Sequence, residues 1–163
     1  MNLPNRKPTR LAKYNYNQNG YFFITICTHN KECILSKIVG GGAFDAPKSI
    51  LTKTGEIVNK YILSTNNISN LSVDKYVIMP NHIHLILTLK NQNGTSKAPS
   101  PTNTVISHSI ATLKRFVNGE IGHNIFQRSF YDHIIRGEKD YLKIWEYIDN
   151  NPAKWMEDCY YNK

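Results

Sequence analysis

The chain has 163 residues, enough for one well-packed domain and too few for two comfortable ones. Its composition, 40% hydrophobic and 20% charged, fits a globular soluble protein; no apolar run could span a bilayer, and the opening MNLPNRKPTR lacks a signal-peptide core, so a cytoplasmic protein without a membrane partner is expected. A formal net charge of +8 and ten tyrosines make nucleic acid the leading partner, with a small anionic substrate as the alternative.

Residues 1–19 read as a basic N-terminal arm. Arg6, Lys7, Arg10 and Lys13 precede two tyrosines, while Pro4 and Pro8 argue against a helix. Such an arm either orders on nucleic acid, pairing cations with phosphate and tyrosines with bases, or is a solvated terminus. After the turn signal Asn19-Gly20, the run YFFITICT (21–28) predicts a strand. Cys27 within it reads as a small core residue. With Cys33 and Cys159 it forms no C-x-x-C pair, which predicts reduced thiols and no thiolate zinc site. Two short apolar runs, 33–39 and 43–51, flank Gly40-Gly41-Gly42. No G-K-[ST] follows, so the glycines predict a hairpin turn or mobile loop and not a phosphate loop.

Residues 54–64 predict a helix with Ile57, Val58, Tyr61 and Ile62 on one buried face, and 71–79 predict the next strand. Pro80-Asn81 then turns the chain into HIHLILTL. Side chains alternate along a strand, so His82 and His84 face one way while Ile83, Leu85, Leu87 and Leu89 face the other. Two imidazoles on a rigid strand suit a divalent metal but do not complete a site.

Residues 91–103, NQNGTSKAPSPTN, predict a flexible surface loop inside a single 1–163 domain. A second helix is expected over 104–118, capped by Asn103 or Thr104 and closed by Gly119. Val105, Ile106, Ile110, Leu113 and Val117 form its buried stripe, with Lys114 and Arg115 at the boundary where they could meet phosphate. The second half of 125–136 predicts a strand, and 138–150 a final helix stopped by Pro152. With the small hairpin set aside, the order is βαββαβ. That is the ferredoxin-like α+β pattern, an antiparallel sheet with helices on one face, here followed by a C-terminal helix. The histidine strand is then third, at the sheet's centre.

On the final helix Tyr147 and Asn151 are four residues apart and share a face, flanking the stripe Tyr141, Ile144, Trp145 and Ile148. Asn151 precedes a proline, which predicts a non-helical conformation in a frayed last turn. Its amide oxygen with two imidazoles would make a mixed N/O set suited to Mg²⁺ or Mn²⁺.

These residues also carry a family resemblance. MPNHIHLIL resembles the HUH motif of single-strand nucleases in the form found in small tyrosine transposases. FQRSFYDHIIRGEKD followed by YIDNNPAKW resembles the C-terminal signature of REP-associated tyrosine transposases and their insertion-sequence relatives, and RKPTRLAKYNYNQNGYFFITICT resembles their N-terminal opening. The resemblance implies His82 and His84 as metal ligands, Asn151 as the third ligand and Tyr147 as the catalytic tyrosine. The activity it implies is metal-dependent cleavage and transfer of single-stranded or hairpin DNA through a 5′-phosphotyrosine, by a monomer or homodimer. The arm would contact DNA, and Lys114, Arg115, Arg128 and Arg136 are further candidate phosphate contacts. It also implies that the C-terminal regulatory segment of longer members is missing. Two rivals keep parts of this pattern: a non-catalytic nucleic-acid-binding module on the same scaffold, and a metal hydrolase of small phosphate esters in which Tyr147 is dispensable. Tyr131, beside Asp132 and His133, is the rival nucleophile.

Overall fold

Strand β1 (Gly20–Cys27) turns Phe22, Ile24 and Ile26 to one face and Phe23, Thr25 and Cys27 to the other, as alternation requires. In the computed structural model, which describes residues 18–42, 45–90 and 104–161, it lies between two antiparallel partners. One is β5 (His82–Leu89); the other is β6 (Tyr131–Ile135). With β4 (Leu71–Ile78) at the far edge, the sheet order is β4-β5-β1-β6, that of the ferredoxin-like fold, and β5 is an inner strand as expected. A separate hairpin pairs β2 (Ser36–Val39) with β3 (Lys48–Leu51) around the glycine run. The basic arm residues Arg6, Lys7, Arg10 and Lys13 and the loop 91–103 lie outside the described residues.

Helices α1 (Lys53–Ser64) and α2 (Val105–Ile121) cover one face of the sheet. There Phe22, Ile24, Ile26, Ile83, Leu85 and Leu87 bury against Val58, Ile62, Ile106, Ile110, Leu113 and Val117. Each such side chain contributes about 1.5–3 kcal/mol on burial. Helix α3 (Glu138–Asn150) covers the opposite face through a smaller core of Ile86, Ile135, Ile144 and Ile148, with Phe23, Val77, Tyr141 and Trp145 packed around it. All eight residues of β5 are therefore buried, yet two of them are histidines. A strand covered on both faces ordinarily carries only apolar residues, so these two require polar partners inside the protein. Among the described residues no helix is long and apolar enough to cross a membrane.

Several boundaries differ from the periodicity. Helix α2 runs through Gly119 and ends at Ile121, because the left-handed residue that closes it, φ 91°, is Gly122. Its cap is Thr104, in a reciprocal box with Ser107. Val105 is exposed, since the first helical residue points away from the sheet before the stripe begins at Ile106. Asn151 keeps right-handed helical angles (φ −59°, ψ −42°) in spite of Pro152, and its side chain is buried rather than frayed.

The start of α1 is set by contact with a neighbouring loop. Thr52 accepts from the Gly55 N–H and donates to the Ile34 and Leu35 carbonyls. Gly55 itself sits so close to that loop that an added Cβ would lie 2.0 Å from the Leu35 oxygen. Helix propensity alone favours alanine over glycine by about 1 kcal/mol. The collision with backbone reverses this: Gly55→Ala should lower stability by about 2 kcal/mol or more, measured by urea denaturation.

Candidate active site

The turn that launches β5 is held from the other side of the chain. Leu35 N–H donates to the Pro80 carbonyl at 2.9 Å, and the Asn81 carbonyl accepts from Thr28 through both N–H (2.9 Å) and hydroxyl (3.0 Å). Asn81 is fully buried. Its Nδ2 donates to the carbonyls of Tyr160 at 2.8 Å and Lys31 at 3.3 Å, which orients the amide and leaves Oδ1 facing His82 Nδ1 at 2.9 Å. An amide oxygen only accepts, so His82 carries its proton on Nδ1 and presents a lone pair on Nε2.

That lone pair points into a cluster of acceptors. Asp158 Oδ2 lies 3.7 Å from His82 Nε2, and the Asn151 amide lies beside both His82 and Tyr147. His82 Nε2 and Asn151 Oδ1 are buried with no hydrogen-bond partner. Orphaned buried acceptors are costly unless a proton or cation lies between them. Two imidazoles, an amide oxygen and a carboxylate form an N/O donor set suited to a divalent ion, and ligand atoms of His82, His84 and Asp158 all fall within 4.8 Å of one another.

His84 stands next to His82 on the same face, ring centroids 4.5 Å apart. Its Nδ1 bonds Thr25 Oγ1 at 2.9 Å, across the β1–β5 register that pairs these residues. Its Nε2 meets the Tyr147 hydroxyl at 3.3 Å. Phe23 stacks on the His84 ring and meets the Tyr147 ring edge-on, fixing both. Helix α3 is pinned at three places that set this approach. Tyr141 donates to Asp74 at 3.1 Å, Lys75 pairs with Asp149 and lies over Trp145, and Asp140 accepts from the Arg136 N–H at 3.0 Å. Tyr147 is about half-buried, and a cleft of about 360 Å³ opens beside it, lined by Lys143, Asn151, Lys154 and Asp158 among others.

Burial dominates the electrostatics. It pushes the His82 imidazole down from near 6.5 to about 4, the Asp158 charge opposing, and holds His84 well below its ordinary value with the help of His82. Both rings are thus neutral and able to ligate. Burial and the Asp158 charge raise the Tyr147 phenol, the Asn151 amide partly offsetting them.

The structure brings His82, His84, Tyr147 and Asn151 together, but separates the candidate cations. Lys114 is not free to meet phosphate. It is buried, its ammonium donates to the carbonyls of Gln127 (2.8 Å), Ser129 (2.9 Å) and Arg128 (3.5 Å), and desolvation pulls it down to about 8. Arg115 is exposed on α2, across the sheet from Tyr147, with its guanidinium over the Phe116 ring; Arg128 and Arg136 are exposed at either end of β6. Tyr131 shares the face of His84 but sits two strands away, with Thr25 between them, roughly 10 Å at ordinary strand spacing. His133 pairs with Asp140 at 3.0 Å on the surface.

Sequence reading missed Asn81, Thr25, Asp158 and the segment that carries Asp158. Residues 152–161 fold back over the histidines, placing the Tyr160 ring 4.6 Å and the Trp155 ring 6.0 Å from His82. No periodicity marks this segment; only its aromatic density hints at packing. Segment 152–161 therefore covers the site.

The histidines have a consequence for stability. Unfolded imidazoles take up protons near pH 6.5, whereas the folded rings refuse them until much lower pH, so the metal-free protein loses stability as pH falls from about 6.5 towards 4. Chemical denaturation in EDTA should show a loss of about 2 kcal/mol from His82 alone between pH 7 and 5, and His82→Gln should flatten that dependence.

The family described as Transposase IS200 like matches residues 47–151, a span that contains His82, His84, Tyr147 and Asn151. An uncharacterized protein of Haemophilus influenzae is 34% identical over 180 residues, covering 98% of this chain and 94% of its own length. The REP-associated tyrosine transposase of Escherichia coli K12 is 24% identical over 144 residues, 87% of this chain and 73% of that protein. In fold, the chain is similar to a REP-associated tyrosine transposase solved bound to a REP hairpin, with a TM-score of 0.62 at 22% identity, covering 95% of this chain and 74% of that one.

Proposed function

The chain belongs to the IS200-like transposase family, and from that premise we propose that it is a metal-dependent single-stranded DNA endonuclease and strand transferase that acts through Tyr147. One juxtaposition carries it: a half-exposed tyrosine hydroxyl 3.3 Å from His84 Nε2, beside a cleft, at the edge of a pocket of orphaned acceptors. A packing tyrosine would have no need of that pocket.

His82, His84 and Asn151 would hold the ion, Mg²⁺ or Mn²⁺ by donor chemistry. When bound it supplies positive charge at a non-bridging phosphate oxygen. With its proton on Nδ1 towards Thr25 Oγ1, His84 has a single lone pair on Nε2, which would either accept the Tyr147 hydrogen bond or ligate. Ligation leaves the phenol free to turn towards the cleft. The Tyr147 oxygen then forms a bond to phosphorus as the bond to the departing 3′-oxygen breaks. The phenol loses its proton, the departing oxygen gains one, and the 5′-phosphate remains on the tyrosine. Attack by another 3′-hydroxyl reverses the step and rejoins DNA without an added energy source, since one phosphodiester is exchanged for another.

The net charge of +8 favours a polyanionic substrate, and the hairpin in the related structure supports single-stranded or hairpin DNA for this chain. Lys143 and Lys154 line the cleft together with Tyr147 and are candidates to meet the phosphates flanking the cleavage point.

Incubation with a hairpin oligonucleotide carrying single-stranded flanks and Mn²⁺, followed by denaturing electrophoresis, should give a covalent protein–DNA band. Tyr147→Phe should abolish it while Tyr131→Phe retains it, and His82→Ala should lower its yield at least about a hundredfold. Binding of the hairpin by the wild type without any adduct would favour the non-catalytic module.

A further inference from the structure

Asp158 lies beyond residue 151, where the family match ends, and nothing in the strand–helix scaffold requires a carboxylate there. Its side chain is only 2% exposed. One oxygen is held by the Tyr160 N–H at 2.7 Å; the other approaches the His82 lone pair at 3.7 Å. The carboxylate is delivered by a segment fastened at several points, not by a loose end. Asn81 grips the Tyr160 carbonyl, Lys31 reaches the Cys159 carbonyl at 3.4 Å, and the Trp155 and Tyr160 rings cover His82. Asn81 thus orients the His82 lone pair through its Oδ1 and, through its Nδ2–H, holds the segment that carries Asp158.

A lone pair and a carboxylate facing each other in a buried pocket repel unless a cation or a proton lies between them. The neighbouring Asn151 oxygen, buried and without a donor, meets the same difficulty. We propose that Asp158 is a fourth ligand of the divalent ion held by His82, His84 and Asn151, supplied by the C-terminal segment. The proposal rests on the metal reading of the histidine pair and extends it. A carboxylate would cancel one of the ion's two charges, tightening its binding and coupling it to the order of residues 152–161. It would also leave less charge to act on the phosphate.

The test is Mn²⁺ binding to the full chain without DNA, by calorimetry and by electron paramagnetic resonance of free Mn²⁺. Asp158→Asn keeps the shape and removes the charge. It should weaken Mn²⁺ binding about tenfold or more, and metal-free Asp158→Asn should melt at or above the wild-type temperature because the repulsion is relieved. Mn²⁺ should slow amide hydrogen exchange across residues 155–161 in the wild type and not in Asp158→Asn, and Asp158→Glu should restore part of the affinity. If the wild type and Asp158→Asn bind Mn²⁺ equally while His82→Ala does not, the Asp158 assignment is overturned and the histidine site stands. If the wild type binds no Mn²⁺, both fall. A drop in melting temperature for Asp158→Asn with and without Mn²⁺, at unchanged affinity, would make Asp158 a structural residue and also overturn the assignment.

Discussion

The buried amide of Asn81 is the constraint on which the site depends. Its carbonyl takes two bonds from Thr28, its Nδ2 serves two carbonyls from distant segments, and its Oδ1 accepts a hydrogen bond from His82 Nδ1–H. A fully satisfied buried amide costs little, whereas one that loses a partner leaves polar atoms stranded and costs about 1–3 kcal/mol for each. The turn position, the histidine tautomer and the C-terminal segment are therefore held by one residue. Any shift of the turn would be felt at once by the His82 Nε2 that it orients.

Around that hub the sheet divides the labour between its two faces. The face under α1 and α2 holds the larger apolar core and supplies most of the burial. Among the described residues the apolar core on the α3 face has four buried members, and aromatic and polar side chains pack around it. Because its apolar contribution is small, α3 depends on directed contacts, Tyr141 to Asp74 and Lys75 to Asp149, to sit at one height along the sheet. That height decides whether the Tyr147 hydroxyl reaches His84. The division is economical in physical terms: the stable face fixes the strand, and the polar face is free to carry chemistry.

Charge is distributed less simply than the net value suggests. Lys114 is turned inward to tie together the carbonyls before β6, so a cation that looks available for phosphate is structural. Conversely, the acidic residue nearest the site, Asp158, adds to burial in raising the Tyr147 phenol and faces a histidine lone pair at 3.7 Å, an arrangement that a cation or proton between them would relieve. The pocket thus gathers acceptors whose chemistry suits a positive ion.

The sequence by itself determined the strand and helix order, the inner position of the histidine strand, the shared face of His82 and His84, and the i,i+4 pairing of Tyr147 with Asn151. All of these follow from local periodicity, which a single segment carries in its own side chains. Tertiary structure decided that Asn151 stays helical before Pro152, that Gly122 and not Gly119 closes α2, that Lys114 is buried, and that Asp158 and Asn81 lie against His82. Those outcomes depend on contacts between residues far apart in sequence, such as Asn81 with Tyr160 or Lys114 with Gln127. No pattern within either segment encodes the partner; only the folded sheet brings the two together and lets a lone pair, a carbonyl or a carboxylate find what it faces.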